Sequence, residues 1–200
     1  MLEESRGVKI YCATGNAGKL REFRLAGEVL GIEVLPLEDL KSIPAPEETG
    51  ATFEENAQIK AEYYSRFAPG LLFADDSGLE VDALGGAPGV HSARYAGVHA
   101  NDEANNQLLL ANLVGVTPRT ARFVCVIAVA EGGAAKHFFR GVVEGEILHG
   151  ARGPGGFGYD PLFYYPPFGC SFGEVDDQRK FSVSHRGNAL RKMLAHFCAA

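Results

Sequence analysis

The feature that most narrows the fold is an alternation near the start of the chain. Residues 8–13 read as an apolar strand, a glycine turn follows, helical spacing takes over, and residues 32–35 return to a strand pattern. In the helical stretch Leu20, Phe23, Ala26 and Leu30 recur on one face until Gly31 ends the run. Strand, helix and strand in that order belong to the α/β class. Further on, Thr52, Phe53, Glu54 and Glu55 carry the Ser/Thr-x-x-Glu pattern of a capping box, which predicts a helix from there to about residue 67. Residues 71–74 are predicted to form a short buried strand that delivers Asp75 and Asp76 to a polar turn, and residues 85–89 a glycine-rich loop. A helix over residues 103–113, capped by Asn101 or Asp102, comes next. Residues 123–129 are the most hydrophobic run and read as a central strand, turning at Gly132 and Gly133 into a second strand near residues 137–143. A last helix is predicted from just after Ser184 to about residue 197. No repeat, low-complexity stretch or linker divides the chain, so residues 1–200 are expected to form one domain.

Composition narrows the function classes. With 46% hydrophobic and 22% charged residues, 200 residues suffice for one substantial core, or for a body with a smaller lobe. A formal charge of -6 disfavours a protein that coats long nucleic acids, which needs a broad basic face. No run approaches the roughly 18 apolar residues that a membrane helix needs, and residues 1–6 are too acidic and short for a signal peptide, so a cytoplasmic protein without a membrane partner is expected. Cys12, Cys125, Cys170 and Cys198 lie far apart and form no Cys-x-x-Cys pair, which points to reduced thiols rather than a zinc or redox site.

Two segments carry chemistry. Thr14, Gly15, Asn16, Ala17, Gly18 and Lys19 sit between a strand and a helix, where free backbone N–H groups and the helix dipole meet an anion and Lys19 adds a full charge. This is not a Walker A loop, because two residues rather than four separate Gly15 from Gly18 and Leu20 follows Lys19, which disfavours a P-loop kinase. The same hexapeptide also suits an ordinary strand-to-helix turn. Asp75 and Asp76, being adjacent, point to opposite faces if the strand persists, so they suit one metal ligand and one supporting acid, or else a solvated acidic turn. Magnesium takes one or two protein carboxylates together with water and phosphate oxygens, and Glu47 or Glu48 can supply the second. Asn56 and Lys60, four residues apart, share a helical face that can meet phosphates. The glycine-rich residues 153–158 lack a following helix, which rules out a dinucleotide fold, but Phe157 can stack on a base. Ser184, His185 and Arg186 at a helix start form an anion or carbonyl-oxygen site, or a cap with solvated charges.

As a set, these segments resemble the inosine triphosphate pyrophosphatase family. The motifs are Thr14-Gly15-Asn16-x-x-Lys19, Glu48-Thr49-Gly50-x-Thr52-Phe53-x-Glu55-Asn56-Ala57, Ala74-Asp75-Asp76-Ser77-Gly78-Leu79, Gly85-Gly86-Ala87-Pro88-Gly89, Ser92-Ala93-Arg94-Tyr95, Gly155-Gly156-Phe157-Gly158-Tyr159-Asp160-Pro161 and Ser184-His185-Arg186-Gly187. They cover almost the whole chain in order. The resemblance implies an α/β fold with a long curved mixed sheet flanked by helices, two lobes around a substrate cleft, and a homodimer. It also implies magnesium-dependent hydrolysis of non-standard purine nucleoside triphosphates (ITP, dITP and XTP) to monophosphate and pyrophosphate, which cleanses the nucleotide pool.

Carried over by motif, Thr14, Gly15, Asn16, Ala17, Gly18 and Lys19 would hold phosphates with Lys60. Glu48 and Asp76 would hold Mg2+, and Asp76 would also accept a proton from the attacking water, a role the sequence does not separate from Asp75. Ser77 would touch the substrate, Phe157, Gly158, Tyr159 and Asp160 would surround base and sugar, and Lys180, His185 and Arg186 would face the purine edge. Arg179 and Phe181 flank Lys180 where the family more often has Glu and Asn. A non-catalytic nucleotide sensor and a related pyrophosphatase acting on modified pyrimidines are the competing expectations.

Overall fold

A computed structural model describes residues 8–199 apart from Asn16, Leu30, Val98 and Ala100. In chain order the main elements are β1 (Lys9–Cys12), α1 (Ala17–Val29), β2 (Glu33–Pro36), α2 (Phe53–Tyr64), β3 (Leu72–Val81), α3 (Asp102–Asn112), β4 (Thr120–Glu131), β5 (Ala134–Ile147), β6 (Phe163–Tyr165), β7 (Cys170–Ser171), α4 (Asp177–Val183) and α5 (His185–Cys198), with short 3-10 turns between. The strands form a seven-stranded sheet in the order β2-β1-β3-β4-β5-β6-β7 among the described residues. It is mixed: β1 is parallel to β2 and β3, whereas β6 is antiparallel to β5 and β7. No helix among the described residues is long and apolar enough to cross a membrane.

The chain forms two compact units, each assembled from discontinuous segments. One holds the residues through Asp76, Val126–Arg140 and the residues from Ala189 on; the other holds Ser77–Cys125 and Gly141–Asn188. In the first unit, β1 leads through α1 to β2, and β2 returns through α2 to β3 on the far side of β1. Both crossovers join parallel strands but run in opposite directions along the sheet, so right-handed connections place α1 and α2 on opposite faces. Phe23 of α1 meets Phe73 edge to face at 5.1 Å, and Phe53, Ala57 and Ala61 of α2 are likewise buried. The β4 run Val126–Ala130 is buried throughout, as its unbroken apolar sequence requires of a strand covered on both faces. Gly132 and Gly133 turn β4 into β5 with φ of 58° and 89°, the left-handed pair of a tight hairpin.

In the second unit, Leu79, Val81, Leu109, Leu113, Phe123, Val143, Ile147, Leu162, Phe163 and Phe172 make the core. Phe123, Phe163 and Phe172 pack as a triplet with centroid separations of 4.5, 5.1 and 6.3 Å. α3 is capped as one of the two expected residues allows, the Asn101 side chain accepting from the Ala104 N–H at 2.9 Å.

Three expectations need correction. Asp75, Asp76 and Ser77 lie inside a ten-residue strand rather than at its polar end, because β3 continues to Val81. The hairpin strands extend to Glu131 and to Ile147, beyond the apolar runs that signalled them. α4 was not anticipated; Asp176 caps it by accepting from the Arg179 N–H at 2.8 Å.

Candidate active-site residues

In the first unit the expected phosphate and metal residues converge in two pairs. β3 alternates its side chains, so Asp75 and Asp76 leave on opposite faces and each meets a lysine from a different helix. Lys19 Nζ donates to Asp75 Oδ2 at 2.7 Å, and Lys60 Nζ donates to Asp76 Oδ1 at 2.7 Å. Thr14 is half-buried in the loop after β1, and Gly15 is exposed with nothing near the position a Cβ would take. Ala17, Gly18 and Lys19 open α1, where the backbone N–H groups of a first turn lack helical partners. Asn16 lies outside the described residues.

Glu48 reaches the same ammonium as Asp76, its Oε2 standing 3.4 Å from Lys60 Nζ. The segment carrying Glu48 is held to the start of α2 by a chain of local bonds. Gly50 N–H donates to Asn56 Oδ1 at 2.8 Å, Ala51 and Thr52 N–H donate to Glu55 Oε2, and Glu55 N–H donates to Thr52 Oγ1 at 3.1 Å. The capping box is therefore present as expected. Asn56 is fully buried and grips Gly50 rather than an open surface. A Cβ on Gly50 would come within 2.6 Å of Asn56 Oδ1 and 2.7 Å of Glu55 Cβ, so the residue must be glycine for the loop to lie this close.

Burial disfavours the Lys60 cation, yet Asp76, Glu48 and Asp75 outweigh it and lift its pKa above the ordinary lysine value. Burial is also the largest influence on Asp76 and raises its pKa; Lys60 opposes this, and the charges of Glu48 and Asp75 add to the rise. Asp76 Oδ2 is buried and has no hydrogen-bond partner among the described residues. A carboxylate oxygen so placed calls for a cation or a water. Among the described residues no three metal-ligating side chains cluster, so a closed protein cage is absent and an ion held by Asp76 and Glu48 would complete its shell with water and phosphate oxygens. That donor set, all oxygen and two carboxylates, fits magnesium.

In the second unit Lys180, His185, Arg186 and Asp160 are all buried. Lys180 Nζ donates to Asp160 Oδ2 at 2.5 Å, and the same oxygen accepts the Phe157 N–H at 2.8 Å. The Phe157 ring is 51% exposed, with Lys180 Nζ 4.4 Å and Arg186 Cζ 5.6 Å from its centroid. His185 stacks on Phe123 at 4.9 Å, a contact that the sequence does not signal. Tyr159 is buried in the core and donates its hydroxyl to Ser92 O at 2.8 Å, and burial drives its phenol well above the ordinary range. Gly158 is gripped by α3 through Asp102 and Asn106, neither of which stood out in the sequence except Asp102 as a candidate cap. Ser77 is half-buried on β3.

The model of the Ham1 family matches residues 10–196. A dITP/XTP pyrophosphatase of Acidobacterium capsulatum is 52% identical over 93% of this chain and 96% of its own length. One from Listeria monocytogenes is 50% identical over 92% of each. Among solved structures, the Staphylococcus aureus Ham1 protein superposes with a TM-score of 0.86 at 41% identity, covering 94% of this chain and 97% of that one. A HAM1 protein from Coxiella burnetii gives 0.89 at 41% identity, over 96% of this chain and 100% of that one. Sequence motifs, sheet order and relatives thus point one way: the chain belongs to the Ham1 family.

Proposed function

We infer that this chain hydrolyses ITP, dITP and XTP to the nucleoside monophosphate and pyrophosphate, a reading supported by relatives named dITP/XTP pyrophosphatase. The observation that carries the reading is the shared hold of Asp76 and Glu48 on Lys60, with a second Asp76 oxygen buried beside it and without a hydrogen-bond partner among the described residues. A nucleotide sensor needs the phosphate cradle but not this carboxylate arrangement.

Magnesium, held by Glu48 and Asp76, would neutralise charge on the triphosphate and polarise it toward attack. The residues of the chain do the rest. N–H groups of residues 14–19 and the ammonium of Lys19 bind phosphate oxygens, and Lys60 adds a second cation. Asp76 takes the proton from water as its oxygen bonds to phosphorus; the P–O bond to the departing pyrophosphate breaks, and the proton ends on the carboxylate.

Base selection follows from donors. Lys180, His185 and Arg186 offer buried N–H groups that match the 6-keto oxygen of hypoxanthine or xanthine, whereas adenine presents an amino donor there. Each buried donor left unpaired costs about 1 to 3 kcal/mol, or roughly tenfold to hundredfold in selectivity. Phe157 supplies a stacking surface. The protein is further proposed to act as a homodimer in the cytoplasm. A panel of ITP, dITP, XTP, ATP and GTP with Mg2+, scored for pyrophosphate against phosphate, tests the reading; release of phosphate alone, or no preference for 6-keto purines, defeats it.

A further inference from the structure

Both polar groups of the Gly158 backbone are taken up by one face of α3. Gly158 N–H donates to Asp102 Oδ2 at 2.6 Å, and Asn106 Nδ2 donates to Gly158 O at 2.9 Å. The two side chains are one helical turn apart and so present an acceptor and a donor side by side. The preceding N–H, that of Phe157, is held by Asp160. Phe157 itself is half exposed, although a large aromatic ring at the tip of a glycine-rich loop has every reason to bury itself or move.

We propose that Asp102 and Asn106 are positioning residues for base recognition, clamping the Gly158 backbone so that the Phe157 ring stands ready beside Lys180 and Arg186 to stack on the purine. This rests on the pyrophosphatase reading above. The helix that does the clamping is itself fixed. Asn105 accepts the Ala96 N–H and donates to Ala93 O, and Asn112 donates to the Tyr95 hydroxyl. Asn106 acts only as a donor here, for its Oδ1 is buried and accepts no hydrogen bond among the described residues. A preordered platform lowers the ordering cost that binding must otherwise meet, so the clamp acts on substrate affinity and base choice rather than on the chemical step.

The donor and acceptor assignments make the test asymmetric. Asp102→Asn keeps an acceptor and is expected to behave as wild type, whereas Asp102→Ala loses it. Asn106→Asp and Asn106→Leu both lose the donor at similar volume, one with an added charge and one without. Each damaging variant is expected to raise KM for ITP about tenfold, with kcat within about twofold, and to shrink the ITP-to-ATP preference. Amide exchange at residues 157–159 is expected to quicken about tenfold in the same variants. Unchanged exchange in both Asn106 variants, unchanged KM and preference whatever happens to the melting temperature, or an Asp102→Asn enzyme as impaired as Asp102→Ala each overturns the clamp. Absence of pyrophosphate release from ITP by the wild type would instead defeat the pyrophosphatase reading, and the exchange rates would still decide the clamp.

Discussion

Asp76 accepts a hydrogen bond from Lys60 on one carboxylate oxygen at 2.7 Å, and its other oxygen is buried without a hydrogen-bond partner among the described residues. An oxygen in that position has lost its hydration and gained no hydrogen bond from the described residues in exchange. Its neighbour Asp75 is engaged by Lys19 on the other face of the strand, so the two acids are distinguished by their surroundings although the sequence presents them side by side.

Asp76→Asn preserves shape but removes the proton acceptor and one metal oxygen. Turnover on ITP is expected to fall by about 10^2 to 10^4, with a much smaller change in nucleotide affinity measured by calorimetry. Turnover within a few-fold of wild type would remove Asp76 from the chemistry.

In the metal-free protein the Asp76 carboxyl should titrate above the range of an ordinary aspartate, because burial penalises its charged form. Lys60 opposes that rise, so Lys60→Met should move this titration to still higher pH. An NMR titration of the side-chain carboxyl in the absence of Mg2+ shows the direction; a downward shift in Lys60→Met contradicts the pairing.

Gly50→Ala places a methyl against Asn56 Oδ1 and the Glu55 Cβ, forcing the Glu48 segment away from α2. A loss of about 1 to 3 kcal/mol in stability is expected, together with a higher Mg2+ concentration for half-maximal activity. Thermal melts and a Mg2+ titration check both, and a lower melting temperature without a change in Mg2+ requirement would separate the loop's position from metal binding.

Tyr159 supplies a pH-dependent stability term. Its folded pKa lies well above the unfolded value of about 10. Below the unfolded value both states keep the proton and the contribution is intact; as pH rises toward the folded value the unfolded state ionises first and stability is lost. Tyr159→Phe should cost about 1 kcal/mol near neutrality by losing the bond to Ser92, yet decline less steeply than wild type between pH 10 and 12 in urea melts.

Lys180→Ala and Arg186→Ala are expected to narrow the ITP-to-ATP ratio by about tenfold each. Lys180→Ala should also destabilise, since it leaves Asp160 buried without its cation. An unchanged ratio in both variants would place base reading elsewhere.

Local rules made several of these features legible beforehand. The capping box at Thr52 and Glu55 forms from residues within one turn, and it appears as written. The divergence of Asp75 and Asp76 follows from strand alternation alone. By contrast, β3 looked shorter than it is, because Asp75, Asp76 and Ser77 break an apolar run and resemble a turn; inside the protein, lysines of α1 and α2 neutralise the two acids and let the strand continue. α4 escaped notice for a related reason. Its seven residues have little helical signal of their own, and Lys180 becomes a buried residue only because Asp160, twenty positions away, receives it.

The amino-acid order alone determined the α/β class, the starts of α2, α3 and α5 and the motif set that places the chain among its relatives, since propensity, capping and alternation act over a few residues. Tertiary structure alone decided which acid pairs with which lysine, which carboxylate oxygen is left over, and which helix grips the Phe157 loop. Those outcomes depend on burial and charge contributed by segments distant in the chain, and no local pattern carries them.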